Sequence, residues 1–110
     1  MVRFVDRPYM TEKVIPKISG IKWKMACGIG MVGYHFITLS DNENDIFDIY
    51  PAAVFKQKSF RKSDRIIIGV ADSIDSARLL TGSMIKECLD DCHDPKNLRG
   101  YFENFIKENL

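Results

Sequence analysis

The chain has 110 residues, 45% of them hydrophobic and 28% charged, with a formal net charge of +1. That length and composition describe one globular domain able to bury roughly 60–70% of its unfolded surface, too evenly balanced to name a polyanionic or polycationic partner from overall charge. No apolar run approaches the ~20 residues of a membrane span, and the opening MVRFVDRPYM lacks the apolar core of a signal peptide, so a cytoplasmic protein without membrane contact is expected. Three cysteines, an odd number in a chain without a signal, do not form a disulfide framework.

The charge is unevenly spread. Residues 1–65 carry 11 Lys/Arg against 7 Asp/Glu, and residues 66–110 carry 5 against 8. The first part is basic and the second acidic, a polarity that can orient a partner or a second copy of the chain.

Residues 1–19 read as an irregular N-terminal arm. Val2, Phe4 and Val5 hint at a short strand, Arg7-Pro8 interrupts it, and Pro16 limits any helix started at Thr11. The apolar residues of the arm are expected against the core or against a second subunit. From Ile21 to Cys27 the pattern alternates. Ile21, Trp23, Met25 and Cys27 take one side and Lys22, Lys24 and Ala26 the other, which predicts a half-buried strand. Gly28-Ile29-Gly30 then suits a tight hairpin, with Met31 to Leu39 returning as a central strand apolar on both faces. Asp41 to Asn44 is a polar turn, and Ile46 to Tyr50 a third strand closed by Pro51. Lys56 to Ser63, KQKSFRKS, is a basic connecting loop.

The clearest stretch follows. Ile66, Ile67, Ile68, Gly69, Val70 and Ala71 form an unbroken apolar run, the mark of a strand covered on both faces. Asp72 or Ser73 caps the next helix, and Ile74, Ala77, Leu80, Thr81, Met84, Ile85, Cys88 and Cys92 fall in one stripe at helical spacing, with Leu79 off it. Asp94-Pro95 opens a last helix in which Leu98, Tyr101, Phe102, Phe105 and Ile106 share a face. The predicted fold is α+β: two layers, a mainly antiparallel sheet of about four strands, and two C-terminal helices packed on one face. The other face, bearing Lys22 and Lys24, is left for solvent or for pairing. No internal repeat, low-complexity tract or linker divides residues 1–110.

Several constellations invite chemistry. Cys88 and Cys92 stand one helical turn apart beside His93, but a zinc site needs four ligands converging at about 2–2.3 Å, and only Cys27 and His35 remain to complete it. Small core cysteines are the plainer reading, and no metal is expected. Cys27, His35 and Asp48 can meet on neighbouring strands as nucleophile, base and orienting carboxylate, yet no local signature surrounds them, so no catalytic residue is assigned. GVADSID resembles a phosphate loop only in being strand, turn and helix. It has neither GxGxxG nor GxxxxGK[ST], and Asp72 and Asp75 would repel a phosphate, so no cofactor is expected.

The candidate binding residues are Lys56, Lys58, Arg61 and Lys62, interleaved with Phe55 and Phe60, which suit phosphate neutralisation and base stacking. Three functions compete. A small non-catalytic protein-interaction or regulatory module, with a protein partner or homodimer, is preferred. A nucleic-acid-binding accessory protein using loop 56–62 is the alternative, and a small enzyme or metal protein using the Cys and His residues comes third.

Overall fold

The structure, a computed structural model, describes residues 2–27, 29, 31–40, 45–57, 64–92 and 98–110, the side chains of Lys56 and Cys92 excepted. Its centre is the unbroken apolar run after Arg65. This forms strand β4 (Ile66–Ala71), in which Ile67, Ile68, Val70 and Ala71 are all fully buried. A strand so buried needs cover on both faces and a neighbour along each edge. Strand β1 (Arg3–Met10) runs parallel to it on one side, and β2 (His35–Leu39) runs antiparallel on the other. Strand β3 (Phe47–Pro51) adds outside β2, antiparallel, from His35 opposite Pro51 to Leu39 opposite Phe47. The spatial order is β1-β4-β2-β3.

The α+β class holds, with a four-stranded, mainly antiparallel sheet. Helices α2 (Ile74–Cys92) and α3 (Leu98–Asn109) both lie on one face of it. Val5, Ile37 and Ile68 from the sheet meet Met84, Cys88 and Phe102 from the helices, all fully buried. Phe102 packs edge-on to Phe47 at 4.9 Å between centroids, which fixes α3 over the outer strand. Arg99 ties α3 to the β2–β3 connection, donating to the carbonyls of Ser40 and Asp45, each at 2.7 Å.

Three expectations for the first half of the chain do not survive. Arg3–Met10 is a strand of the sheet rather than an irregular arm, and Val5 is sealed inside the chain's own core. An edge strand with an irregularity in its pairing tolerates Pro8, which has no amide to give to a ladder. The pairing register shifts between Phe4 and Tyr9, the stretch that holds Pro8.

Ile21 to Cys27 is not a strand. Ile18–Ala26 forms helix α1, entered through a 3-10 turn at Ile15–Lys17 in which Pro16 occupies the first turn. Val14, Ile18, Ile21 and Met25 follow at i, i+4, i+7 and i+11, a helical stripe, and all four face the core. The alternation across residues 21–27 overlaps this stripe at Ile21 and Met25, which is how one sequence satisfies both patterns. With a helix at Ile18–Ala26, the expected hairpin lacks its first strand. Ile29 donates its amide to the carbonyl of Lys24 at 2.9 Å, ending the helix, and β2 starts only at His35. Gly33 precedes it with φ of 94°, a left-handed conformation that glycine adopts without strain. Gly28 and Gly30 lie outside the described residues.

The reverse face of the sheet is consequently covered. Helix α1 and a 3-10 helix at Ala52–Lys56 pack Ile21, Met25, Ala52 and Phe55 against Phe36, Ile67 and Val70. Lys22 and Lys24 stand on this covering helix, and not on an open sheet. No helix among the described residues is long and apolar enough to cross a membrane.

Candidate functional site

Helix α1 is short, and its inner stripe is committed to the core. Its outer side is unusual in what it carries. Trp23 is 200° around the helix from Ile21 at 100° per residue, so it points away from the core and is 61% exposed. Between Glu12 and Asp41 the chain holds four lysines, Lys13, Lys17, Lys22 and Lys24, and no carboxylate. Of the seven large hydrophobics exposed among the described residues, Ile15, Trp23, Ile29 and Val32 lie in this one segment. Single exposed apolar residues need no explanation, but four within eighteen residues of a lysine-rich segment concentrate apolar and basic character in one part of the surface.

The lysines do different things. Lys22 is turned back onto β1. Its Nζ donates to the carbonyls of Val5 and Asp6, both at 3.5 Å, and lies 5.8 Å from the centroid of the Phe4 ring. Lys17 and Lys24 stay on the outer side, and among the described residues neither enters an ion pair. They border a groove of about 310 Å³ whose other lining is Pro16, Gly20, Ile21 and Tyr34. A side chain on Gly20 would meet nothing within 4 Å, so the floor of that groove is open. A second cavity, of about 470 Å³, sits on the far side of α1, where Arg3 and Lys22 border Val2, Phe4, Met25, Ala26 and Leu110. Both hollows include two basic side chains in a lining that is otherwise mainly apolar.

Of the binding residues expected from the sequence, Lys58, Arg61 and Lys62 lie outside the described residues, as does the side chain of Lys56. The backbone of Lys56 closes the 3-10 helix Ala52–Lys56, on the same face of the sheet as α1. Phe55 is not available for stacking: it is buried against Phe36 at 5.5 Å and Tyr50 at 6.1 Å between centroids, and so anchors the start of the loop. At the other end of the loop, Arg65 donates to the Tyr50 hydroxyl at 2.7 Å with its guanidinium 4.8 Å from the ring centroid. Phe60 is outside the described residues.

The described members of the chemical constellations stand apart. Cys88 is buried between α2 and the sheet, while Cys27 is exposed at the end of α1 on the opposite face. The side chain of Cys92 and all of His93 are outside the described residues. No group of three or more His, Cys, Asp or Glu that could hold a metal forms among those described. His35 and Asp48 do not face each other either. Asp48 is opposite Thr38, on the face shared with Phe36, whereas His35 alternates with Ile37 onto the face of α2.

At the β4–α2 turn Ser73 is the cap. Its Oγ accepts the Ser76 amide at 3.0 Å, and Asp72 accepts from the Thr11 hydroxyl at 3.2 Å. Desolvation works to raise the Asp72 pKa, but hydrogen bonds from its own backbone amide, Ser76 and Thr11 hold the carboxyl below its ordinary value. Of the two caps that the sequence allows, Ser73 takes the helix amide, while Asp72 turns to Thr11.

The signal that sequence reasoning missed at this site is the helical stripe Val14-Ile18-Ile21-Met25, which turns Trp23 outward. Compared with known protein families, with characterised proteins and with solved structures, the chain matches none. The site must therefore be interpreted from its own geometry.

Proposed function

We propose that this protein is a small non-catalytic interaction module whose working surface is the outer side of α1. The observation that carries the reading is Trp23, a large aromatic left 61% exposed on a helix whose inner face is locked into the core. A rigid support lowers the entropy lost when such a residue is covered by a partner, and tryptophan is enriched among residues that dominate interface energy. The surrounding lysines select for negative charge, so the partner presents an acidic or anionic surface to this face. His35, the candidate base, faces the opposite side of the sheet from Asp48 and from α1, which ends at Cys27, and this favours binding over catalysis at that set.

The test is paired affinity capture from the native host, with protein and nucleic acid both identified. The bait is the wild-type chain or a variant combining Trp23→Ala, Lys17→Glu and Lys24→Glu. These positions are exposed, so the variant is expected to keep its thermal midpoint. A partner recovered with the wild type and lost with the variant is the expected result. Equal recovery on both baits moves the working surface elsewhere and overturns the proposal.

A further inference from the structure

We infer that the groove on α1 binds single-stranded nucleic acid, with Trp23 stacking on an unpaired base and Lys17 and Lys24 neutralising the phosphates beside it. This rests on the reading of α1 as the working surface and names its partner. Gly20, Trp23 and Lys24 follow at i, i+3 and i+4, so the aromatic, the open floor and one cation share a single helical face. Lys17 stands seven residues before Lys24, roughly 10 Å along the helix axis at ~1.5 Å per residue. A polyanionic strand laid along the groove meets Lys17 and Lys24 in its lining, and the exposed Trp23 ring stands outside that lining, one residue before Lys24 and three after Gly20. The glycine lets the strand's backbone approach closely. Base stacking on an aromatic, with lysines tracking the backbone, is the sequence-tolerant mode by which proteins hold unpaired strands.

Other occupants fit less well. A duplex keeps its bases stacked inward and offers Trp23 no free π-face. The acidic α2–α3 layer of a second copy has the right charge, but basic face on acidic face is a head-to-tail arrangement that propagates unless it closes into a ring. An anionic membrane is flat and leaves the groove unfilled. An acidic polypeptide supplies the charge without the flat rings that would cover Trp23.

Trp23 is the chain's one tryptophan, so its own fluorescence reports occupancy. The wild-type protein is titrated with unlabelled dT20, a 20-base-pair duplex, polyglutamate and phosphatidylserine vesicles. The variants are followed by anisotropy of labelled dT20. The expected result is quenching by dT20, weaker quenching by the duplex, and an affinity that falls steeply with salt. Trp23→Ala weakens dT20 binding about tenfold or more, and Trp23→Phe recovers part of it. Lys17→Ala with Lys24→Ala makes the slope of log K against log salt shallower by about 1.4, at about 0.7 for each phosphate no longer neutralised. A response to polyglutamate or vesicles but not to dT20 overturns the nucleic-acid assignment and leaves α1 as the working surface. Equal quenching by the duplex overturns the single-strand assignment. No response to any of the four overturns both this inference and an α1 surface selective for negative charge.

Discussion

Gly69 shows how tightly single residues are fitted at the centre of the sheet. It lies in β4 opposite Ile37, where the pairing slips so that Thr38 faces Ile67. Alternation gives Ile67 to the α1 face and Ile68 to the α2 face, and the bulge between them and Gly69 returns Val70 to the face of Ile67, so the same run feeds both core clusters. A Cβ added at Gly69 would sit 3.0 Å from Cδ1 and 3.2 Å from Cβ of Ile37. The first of those atoms can swing away, but the second is fixed to the backbone. Gly69→Ala should therefore cost roughly 1–3 kcal/mol of stability, as overpacking in a filled core does. Ile37→Val removes Cδ1 at its own cost of about 0.5–1.5 kcal/mol. Because it relieves one of the two close approaches, the double variant should lose less than the sum of the singles. Urea unfolding midpoints decide this, and an unchanged midpoint for Gly69→Ala means the strand has room to shift.

The elements differ in how plainly the sequence declares them. The stretch β4–α2 is legible because its two signals do not compete: six consecutive apolar or small residues, then a serine cap and a helical stripe nineteen residues long. Strand β1 is obscured by Asp6, Arg7 and Pro8, which an edge strand tolerates and a central strand does not. Helix α1 is misread because Ile21 and Met25 belong to a period of two and to a period of 3.6 alike, and only Val14 and Ile18 further back break the tie. The consequence reaches the site, since a strand at 21–27 would bury Trp23 beside Ile21 and a helix exposes it.

How elements hold together also sets a pH dependence. Tyr9 of β1 lies against Phe105 of α3 at 5.0 Å between centroids, and Tyr101 of α3 donates to Asp91 of α2 at 2.8 Å. Burial, then the negative charge and hydrogen bond of Glu87, push the Tyr9 pKa up from 10.0 to about 12. The hydrogen bond to Asp91, followed by desolvation, raises Tyr101 as well. A pKa raised on folding means the folded state holds its proton after the unfolded chain has released it. The stability this contributes is complete below pH 10 and is lost as pH climbs toward 12. Absorbance at about 295 nm should show late-ionising tyrosines in the folded protein, reduced in number in Tyr9→Phe, while unfolding free energy falls above pH ~10. A folded protein whose four tyrosines all ionise near 10.0 excludes the arrangement.

At the scale of the whole molecule, the ends of the described sheet come from distant parts of the chain. Arg3 pairs with Ile66 and Met10 with Val70, so β1 waits for β4 before it has an edge to join. Such non-local parallel pairing closes a long loop and is slow to form. Once in place, β1 does more than add hydrogen bonds. Val5 is sealed in the α2–α3 core, and Phe4 stacks edge-on to Phe36 at 5.6 Å on the α1 side, so one strand seals both clusters. A chain starting at Thr11 would lose this seal and expose the edge of β4, whose residues are as apolar as any in the molecule. It should give no cooperative urea transition, and it should bind hydrophobic dyes as loosely packed states do. Supplying residues 2–10 as a separate peptide should restore cooperative unfolding by strand addition to the open edge of β4, at a cost set by peptide concentration. A truncated chain that keeps the full-length midpoint without peptide would mean that α1, α2 and α3 already hold the three remaining strands, and that β1 only decorates an edge.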